Sequence, residues 1–105
     1  MIEIDKVADY LKKNGFTETE SLSFQKYIKH NDVPLLNMIV QIVEHKIYIS
    51  CKFYSYETIQ GGTNFDMYKY HDRLLSQIDL TIKASILSIT KKLSEEFYKM
   101  AIPNP

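Results

Sequence analysis

Two neighbouring segments in the middle of this chain alternate apolar and polar residues, and this pattern constrains the fold more than any other feature of the sequence. Successive side chains of a β-strand point to opposite faces, so the alternation predicts two strands, each with one apolar face. The segments flank Glu44-His45, and a hairpin there aligns their apolar residues in cross-strand pairs. These pairs are Leu36 with Phe53, Met38 with Cys51, Val40 with Ile49 and Ile42 with Ile47. A slip of one residue would turn one whole apolar set to the opposite face, so the sequence predicts a β-hairpin in this register.

The segments on either side of the hairpin add strands. Alternation of apolar and polar residues predicts a strand at 22–30, which the turn at 31–34 closes. Gly61-Gly62 is typical of a hairpin turn and would place a fourth strand at about 64–70. The alternation after the glycines is weak, so a flexible loop in place of the fourth strand stays an open alternative.

Helical periodicity marks both ends of the chain. The first series predicts a helix over about 3–13, which Gly15 ends after the two lysines of the last turn. The second series starts after Asp72 and predicts a long amphipathic helix of about 22 to 30 residues, which Pro103 ends. Candidate caps for its start are Asp72, Ser76 and Asp79, and its apolar stripe consists of Leu75, Ile78, Ile82, Ile86, Ile89, Leu93, Phe97 and Met100. In its longer form this helix would overhang the sheet.

The expected fold class is α+β, with residues 1–105 forming a single domain in the order α-β-β-β(-β)-α. The N-terminal helix and the long C-terminal helix pack on one face of an antiparallel sheet. Apolar residues make up 45% of the chain, which is enough for one core. The 13 basic and 13 acidic residues balance and are spread evenly, so no tail or half of the chain favours binding to phosphate.

Cysteine content and termini indicate where the protein works. Cys51 is the single cysteine, so no internal disulfide framework forms, which fits a reducing compartment. The acidic N-terminus lacks the features of a signal peptide, and no window approaches the ~20 apolar residues of a membrane span. We therefore expect a cytoplasmic protein without a membrane partner. Twelve lysines against the single arginine, Arg73, favour an AT-rich bacterial or phage genome.

Residues that could support catalysis or metal binding do not form a recognisable constellation. None of His30, His45 and His71 lies at metal-ligand spacing from another ligand on a predicted helix. Cys51 falls on the apolar face of its strand, and Gly61-Gly62 lacks the Lys-Ser or Lys-Thr that follows the glycines of a phosphate-binding loop. We expect no catalytic residues, no metal site and no cofactor, and an enzyme is the least favoured of the function classes.

The sheet face away from the helices carries a candidate binding surface in which tyrosines and lysines are interleaved. Its members are Tyr27, Lys29, Lys46, Tyr48, Lys52, Tyr54 and Tyr56. Tyrosine rings can stack on bases while lysines meet phosphates, as in modules that bind single-stranded nucleic acid. Tyrosine is also enriched at protein interfaces, and it is an ordinary outward residue of strands. All three interpretations stay open, and the zero net charge weighs against nucleic acid.

A second candidate surface lies on the C-terminal helix, away from its main apolar stripe. It consists of Leu80, Ala84, Leu87 and Tyr98. One sheet cannot bury both sides of a helix, so we expect this flank to contact a second copy or another protein, unless the first helix covers it or its leucines are simply exposed. The expected function is a non-catalytic binding protein of the inhibitor, immunity, chaperone or accessory type that forms a homodimer. The alternative is a single-stranded nucleic-acid-binding module that uses the tyrosine and lysine face.

Overall fold

The structure is a computed structural model that describes the backbone of residues 2–30, 32–54 and 59–101, with the side chains of 4–29, 32–54, 61–92 and 95. Its elements are helix α1 (Ile2–Lys13), strands β1 (Thr17–Glu20), β2 (Ser23–His30), β3 (Val33–Val43), β4 (Lys46–Phe53) and β5 (Ile59–Asp66), two 3₁₀ turns (Met67–Lys69 and His71–Arg73) and helix α2 (Leu74–Ala101). The five strands form one sheet in the order β1-β2-β3-β4-β5, and every neighbouring pair is antiparallel. The predicted α+β class is confirmed.

The β3–β4 hairpin has the predicted register. Val40 lies opposite Ile49, Ile42 opposite Ile47, and the other two predicted pairs align in the same way. Glu44, in the turn, has a φ of 58°, a left-handed conformation that a two-residue hairpin turn requires. The backbone N–H of Met67 donates to the carbonyl of His45 over 2.8 Å, which ties this turn to the end of β5.

Both helices pack against the apolar face of the sheet. Val7 and Leu11 of α1 and Ile78 of α2 are fully buried in the same core as the apolar residues of β3 and β4. The Tyr10 hydroxyl donates to an Asp79 carboxylate oxygen over 3.1 Å, so the two helices approach each other at this point. The opposite face of the sheet carries the alternate residues of each strand, and we call it the outer face.

Two ends of predicted elements shift. Leu22 has a φ of 59° and belongs to a turn, so β2 begins at Ser23 rather than at residue 22. The turn predicted at 31–34 is shorter, because Pro34 already pairs with Lys29 in β3, beside a register irregularity that accommodates a residue without an N–H. Gly15 ends α1 as predicted, with a φ of 89° that a glycine adopts without strain.

The start of α2 also differs from its predicted caps. The helix begins at Leu74 and has 28 residues, within the expected length. Asp72 lies in the 3₁₀ turn that leads into the helix, while Ser76 and Asp79 lie inside it. Its buried stripe includes Ile78 and Ile89, and the last predicted stripe residues, from Leu93 onward, have side chains outside the described residues. No described helix is long and apolar enough to cross a membrane.

The prediction for Gly61-Gly62 is wrong. These glycines do not turn a hairpin but lie inside β5, where Gly61 pairs with Cys51 and Gly62 with Ser50. The segment 67–69 is a 3₁₀ turn rather than part of a strand at 64–70. A β-carbon on Gly61 would lie 3.9 Å from Cδ1 of Ile89, so β5 passes close beneath α2 at this point. That distance is ordinary van der Waals contact, so the strand places Gly61 against the helix, a position that local sequence does not reveal.

Strand β1 has no counterpart among the predicted elements. All four of its residues are exposed, so it shows no alternation of burial that a sequence pattern could reflect. Pairing with β2 makes it a strand, and the register shifts between Glu18 and Glu20.

Charge substitutions on the two faces of β3 test this register. Val40→Asp should unfold the domain, because an unpaired buried carboxylate costs several kcal/mol of a total stability of about 5–15 kcal/mol. Gln41→Asp is the control, since Gln41 is exposed on the outer face, and it should shift the melting temperature by only a few degrees. Thermal unfolding followed by circular dichroism measures both. A folded Val40→Asp protein beside an unfolded Gln41→Asp protein would reverse the face assignment.

Candidate functional site

The outer face carries the tyrosines and lysines of the first candidate surface. The strand register places Tyr27, Lys29, Lys46, Tyr48 and Lys52 on this face. Tyr27 and Tyr54 are 51% and 50% exposed, and their rings meet edge to face with centroids 5.3 Å apart. Tyr56 lies outside the described residues. The described members of the surface therefore share one open face, and two of its tyrosines form an aromatic pair.

A buried amide lies next to this aromatic pair. Asn37 has Tyr27 and Lys52 as its cross-strand neighbours and is only 5% exposed. Its Nδ2 donates to Oε1 of Gln25 over 3.4 Å, whereas its buried Oδ1 has no hydrogen-bond partner among the described residues. An asparagine in an alternating segment resembles any outward polar residue, so no sequence pattern singles it out.

Positive charge is dispersed over the outer face. Lys29 lies near the end of β2, and Lys46 lies at the opposite end of the sheet, where its cross-strand neighbour is Asp66. That carboxylate accepts a hydrogen bond from the Tyr68 backbone N–H over 2.8 Å and lies 3.4 Å from Nε2 of His45. Binding of a nucleic-acid backbone needs several cations in a row along the phosphates. The dispersed lysines therefore provide weak electrostatic support for nucleic-acid binding.

The helix residues of the second candidate surface occupy two different places. Leu80 and Leu87 are 62% and 72% exposed, and we call these two residues the α2 ridge. Leu80 and Ala84 also border a groove beside β5, which Leu87 does not reach. The side chain of Tyr98 lies outside the described residues.

That groove runs between β5 and one flank of α2. It encloses about 780 Å³, and residues 61–65 of β5 form one wall. The opposite wall is a flank of α2 that includes the larger side chains of Gln77, Leu80 and Ile89 and four small residues: Thr81, Ala84, Ser85 and Ser88. We call it the β5–α2 groove. Sequence reasoning missed it because a turn was expected at Gly61-Gly62, and a turn there would leave no strand to face the helix.

Hydroxyl groups on the helix wall already have acceptors. The Thr81 hydroxyl donates to the Gln77 carbonyl over 2.8 Å, and the Ser85 hydroxyl donates to the Thr81 carbonyl over 2.8 Å. Because these donors point back to the helix backbone, the hydroxyls of Thr81 and Ser85 are already satisfied within α2. Apolar side chains can therefore contact these two residues without breaking a hydrogen bond to a ligand.

Chemically reactive groups do not converge in the described residues. Burial raises the pKa of the Cys51 thiol to about 11, so the thiol stays protonated and unreactive at neutral pH. The pKa of Asp79 is lowered chiefly by a hydrogen bond from Lys83, whose Nζ lies 2.8 Å from Oδ2, and this exposed pair sits on the helix surface. Among the side chains that the structure describes, no three metal-ligand residues lie together.

Comparison with known proteins gives no match: no family model, no curated protein and no solved structure is significantly similar to this chain.

Proposed function

We propose that this protein is a non-catalytic protein-binding module that receives an extended segment of a partner protein at the edge of β5, in the β5–α2 groove. The observation that carries the proposal is an unprotected sheet edge beside a groove. β5 has eight residues and is the last strand of the sheet. In the described part of the chain, no strand pairs with its free edge.

Unpaired backbone groups make the β5 edge suited to an extended chain. In an antiparallel sheet alternate residues of an edge strand direct both N–H and C=O outward. A segment that adds as a sixth strand pairs with these groups and sends every second side chain towards the helix. The β5–α2 groove offers about 780 Å³ on that side, which is room for the side chains of a short segment.

The opposite edge of the sheet shows how this fold protects an edge. β1 has only four residues, two of them glutamates, and its register shifts between Glu18 and Glu20. Short length, charge and a bulge are the devices that prevent strands from pairing between chains. β5 has twice the length of β1, its only charged residue is Asp66 at the end, and its register irregularity lies near its start, between Ile59 and Gly61. The contrast supports β5 as the edge that binds.

A lysine in the groove tests strand addition. Thr63→Lys should weaken binding at least tenfold, because Thr63 is an exposed residue of β5 that borders the groove and a charge there opposes pairing at the edge. The probe is a library of random octapeptides with free C-termini, displayed on a carrier and selected on the immobilised protein. Selected peptides are then synthesised and titrated by fluorescence polarisation.

Thr17→Lys is the matched control, since Thr17 is an exposed threonine of the other edge strand, and it should bind as the wild type does. Failure to select any peptide, or equal binding to the Thr63→Lys protein, would refute strand addition at this edge.

Self-association through the α2 ridge is a companion proposal. Leu80 and Leu87 are two helical turns apart and largely exposed, and a two-fold axis would use both leucines twice. Burying each contributes about 1.5–3 kcal/mol, enough for a dimer at micromolar concentration. Leu87 lies outside the β5–α2 groove, whereas Leu80 borders it, so the dimer contact and a bound segment would meet at Leu80.

Sedimentation at about 100 μM, well above that micromolar range, tests the dimer. The wild type should sediment as a dimer and the double variant Leu80→Lys, Leu87→Lys as a monomer with unchanged circular dichroism. Thr90→Lys, at an exposed α2 position outside the ridge, is the control and should remain dimeric. A monomeric wild type would disprove self-association.

The second candidate function is binding of single-stranded nucleic acid on the outer face. The half-exposed tyrosine pair Tyr27 and Tyr54 favours it, because such rings stack on bases. The dispersed lysines oppose it, so we expect oligothymidylate to bind no tighter than about 10⁻⁴ to 10⁻⁶ M at physiological salt.

A titration from low to moderate salt measures this affinity. Binding of single-stranded nucleic acid would be the function of the outer face if two results are found. The affinity is tighter than this range and falls steeply with salt, and the double variant Tyr48→Ala, Tyr54→Ala weakens binding by about 1–3 kcal/mol per stacked base.

A further inference from the structure

We infer the direction and the charge of the segment that binds at β5. The segment lies antiparallel to β5 and carries a carboxylate near its C-terminal end, facing Lys91 and Lys92. This inference rests on the proposed strand addition at β5. The inference depends on the direction of α2 relative to β5, on the charges that border the groove, and on the pairing preference of strands.

Helix α2 runs antiparallel to β5 along the groove. The Phe65 end of β5 lies near the start of the helix, because the ring of Phe65 packs edge to face against Tyr70 with centroids 5.2 Å apart. At the other end of the strand, Cδ1 of Ile89 lies 3.9 Å from the position of a β-carbon on Gly61. Lys91 and Lys92 follow Ile89, so both lie at the Gly61 end of the groove.

Charge in the groove is confined to that end. Lys91, Lys92 and Glu95 are the only charged residues among those that border the groove in the described part of the chain. Two cations and one anion leave an excess of one positive charge. Neither lysine forms an ion pair with a described carboxylate, so this end is complementary to an anion from a partner.

The pairing preference of strands and the two lysines together indicate the direction of the bound segment. Antiparallel pairing is the more stable arrangement of neighbouring strands. A segment antiparallel to β5 enters at the Phe65 end and leaves at the Gly61 end, which brings its C-terminal part to the lysines. A parallel segment would bring its N-terminal part there, and a free α-amine would be repelled. The carboxylate is either an Asp or Glu side chain or the C-terminus itself.

The helix wall determines which side chains accompany this carboxylate. Between the lysines and Gln77, the wall combines the apolar side chains of Leu80 and Ile89 with small residues, and the hydroxyls of Thr81 and Ser85 donate within the helix. Apolar, β-branched side chains at every second position of the segment fit this wall and favour the extended conformation. The expected ligand class is an alternating apolar segment with an acidic C-terminal end.

The octapeptides selected on the wild type provide the test. We expect Asp or Glu to be enriched at their last two positions, and the double variant Lys91→Glu, Lys92→Glu to bind such a peptide at least tenfold more weakly. Replacing the acidic residues of the peptide by lysine should restore binding to this variant. Lys29→Glu is the matched control, because Lys29 is exposed on the outer face, and it should change affinity less than twofold.

Two further peptide forms identify the carboxylate. If amidation of the C-terminus weakens binding and Asp→Asn or Glu→Gln does not, the terminal carboxylate is the anion, and the reverse result assigns it to the side chain. A nitroxide on the peptide N-terminus should broaden the amide signal of Asn64, and one near the C-terminus that of Gly61.

Each failure has its own signature. In one outcome, the peptides bind the wild type, lose affinity for the Thr63→Lys protein and bind the Lys91→Glu, Lys92→Glu protein as well as they bind the wild type. That outcome would overturn the charge inference and leave strand addition intact. Broadening of Gly61 by the N-terminal nitroxide would overturn the direction. A library that yields no binder would refute both this inference and the proposed function.

Discussion

Burial of one apolar face of the β3–β4 hairpin is the interaction on which the rest of the structure depends. Met38, Val40, Ile47, Ile49 and Cys51 are fully buried there. Each large aliphatic side chain contributes about 1.5–3 kcal/mol when removed from water. Because only this face is apolar, both helices pack on it and pair their own buried residues with it. The outer face is left open by the same constraint.

The two helices that cover this face differ in length, and the α2 ridge and the β5–α2 groove both lie on the longer one. α2 has 28 residues and is about 42 Å long, while an eight-residue strand spans about 27 Å. A helix of this length buries one stripe, and its remaining sides stay exposed as the α2 ridge and as the wall of the β5–α2 groove. The length of α2 therefore provides the surfaces for contact.

The predictable part of the fold is the part whose signal is local. Alternation across Glu44-His45 predicts the hairpin and its register, because a slip by one residue would expose four apolar side chains. The helical spacing and Gly15 similarly predict α1. β1 escapes prediction, since its four exposed residues carry no periodic signal and pairing alone makes it a strand. β5 was misplaced because the glycines inside it resemble a turn.

By itself the sequence determined which residues are buried in the hairpin, where α1 ends, that a long helix follows the sheet, and that Tyr27, Lys29, Lys46, Tyr48 and Lys52 share the outer face. These properties follow from periodicity along one segment or between two adjacent ones. Only the tertiary structure decided that β5 lies at the edge of the sheet, with Gly61 beneath Ile89 and two lysines at one end of a groove. The physical reason is that an edge and a groove arise from packing between distant segments, and this packing leaves no periodic mark on either of them.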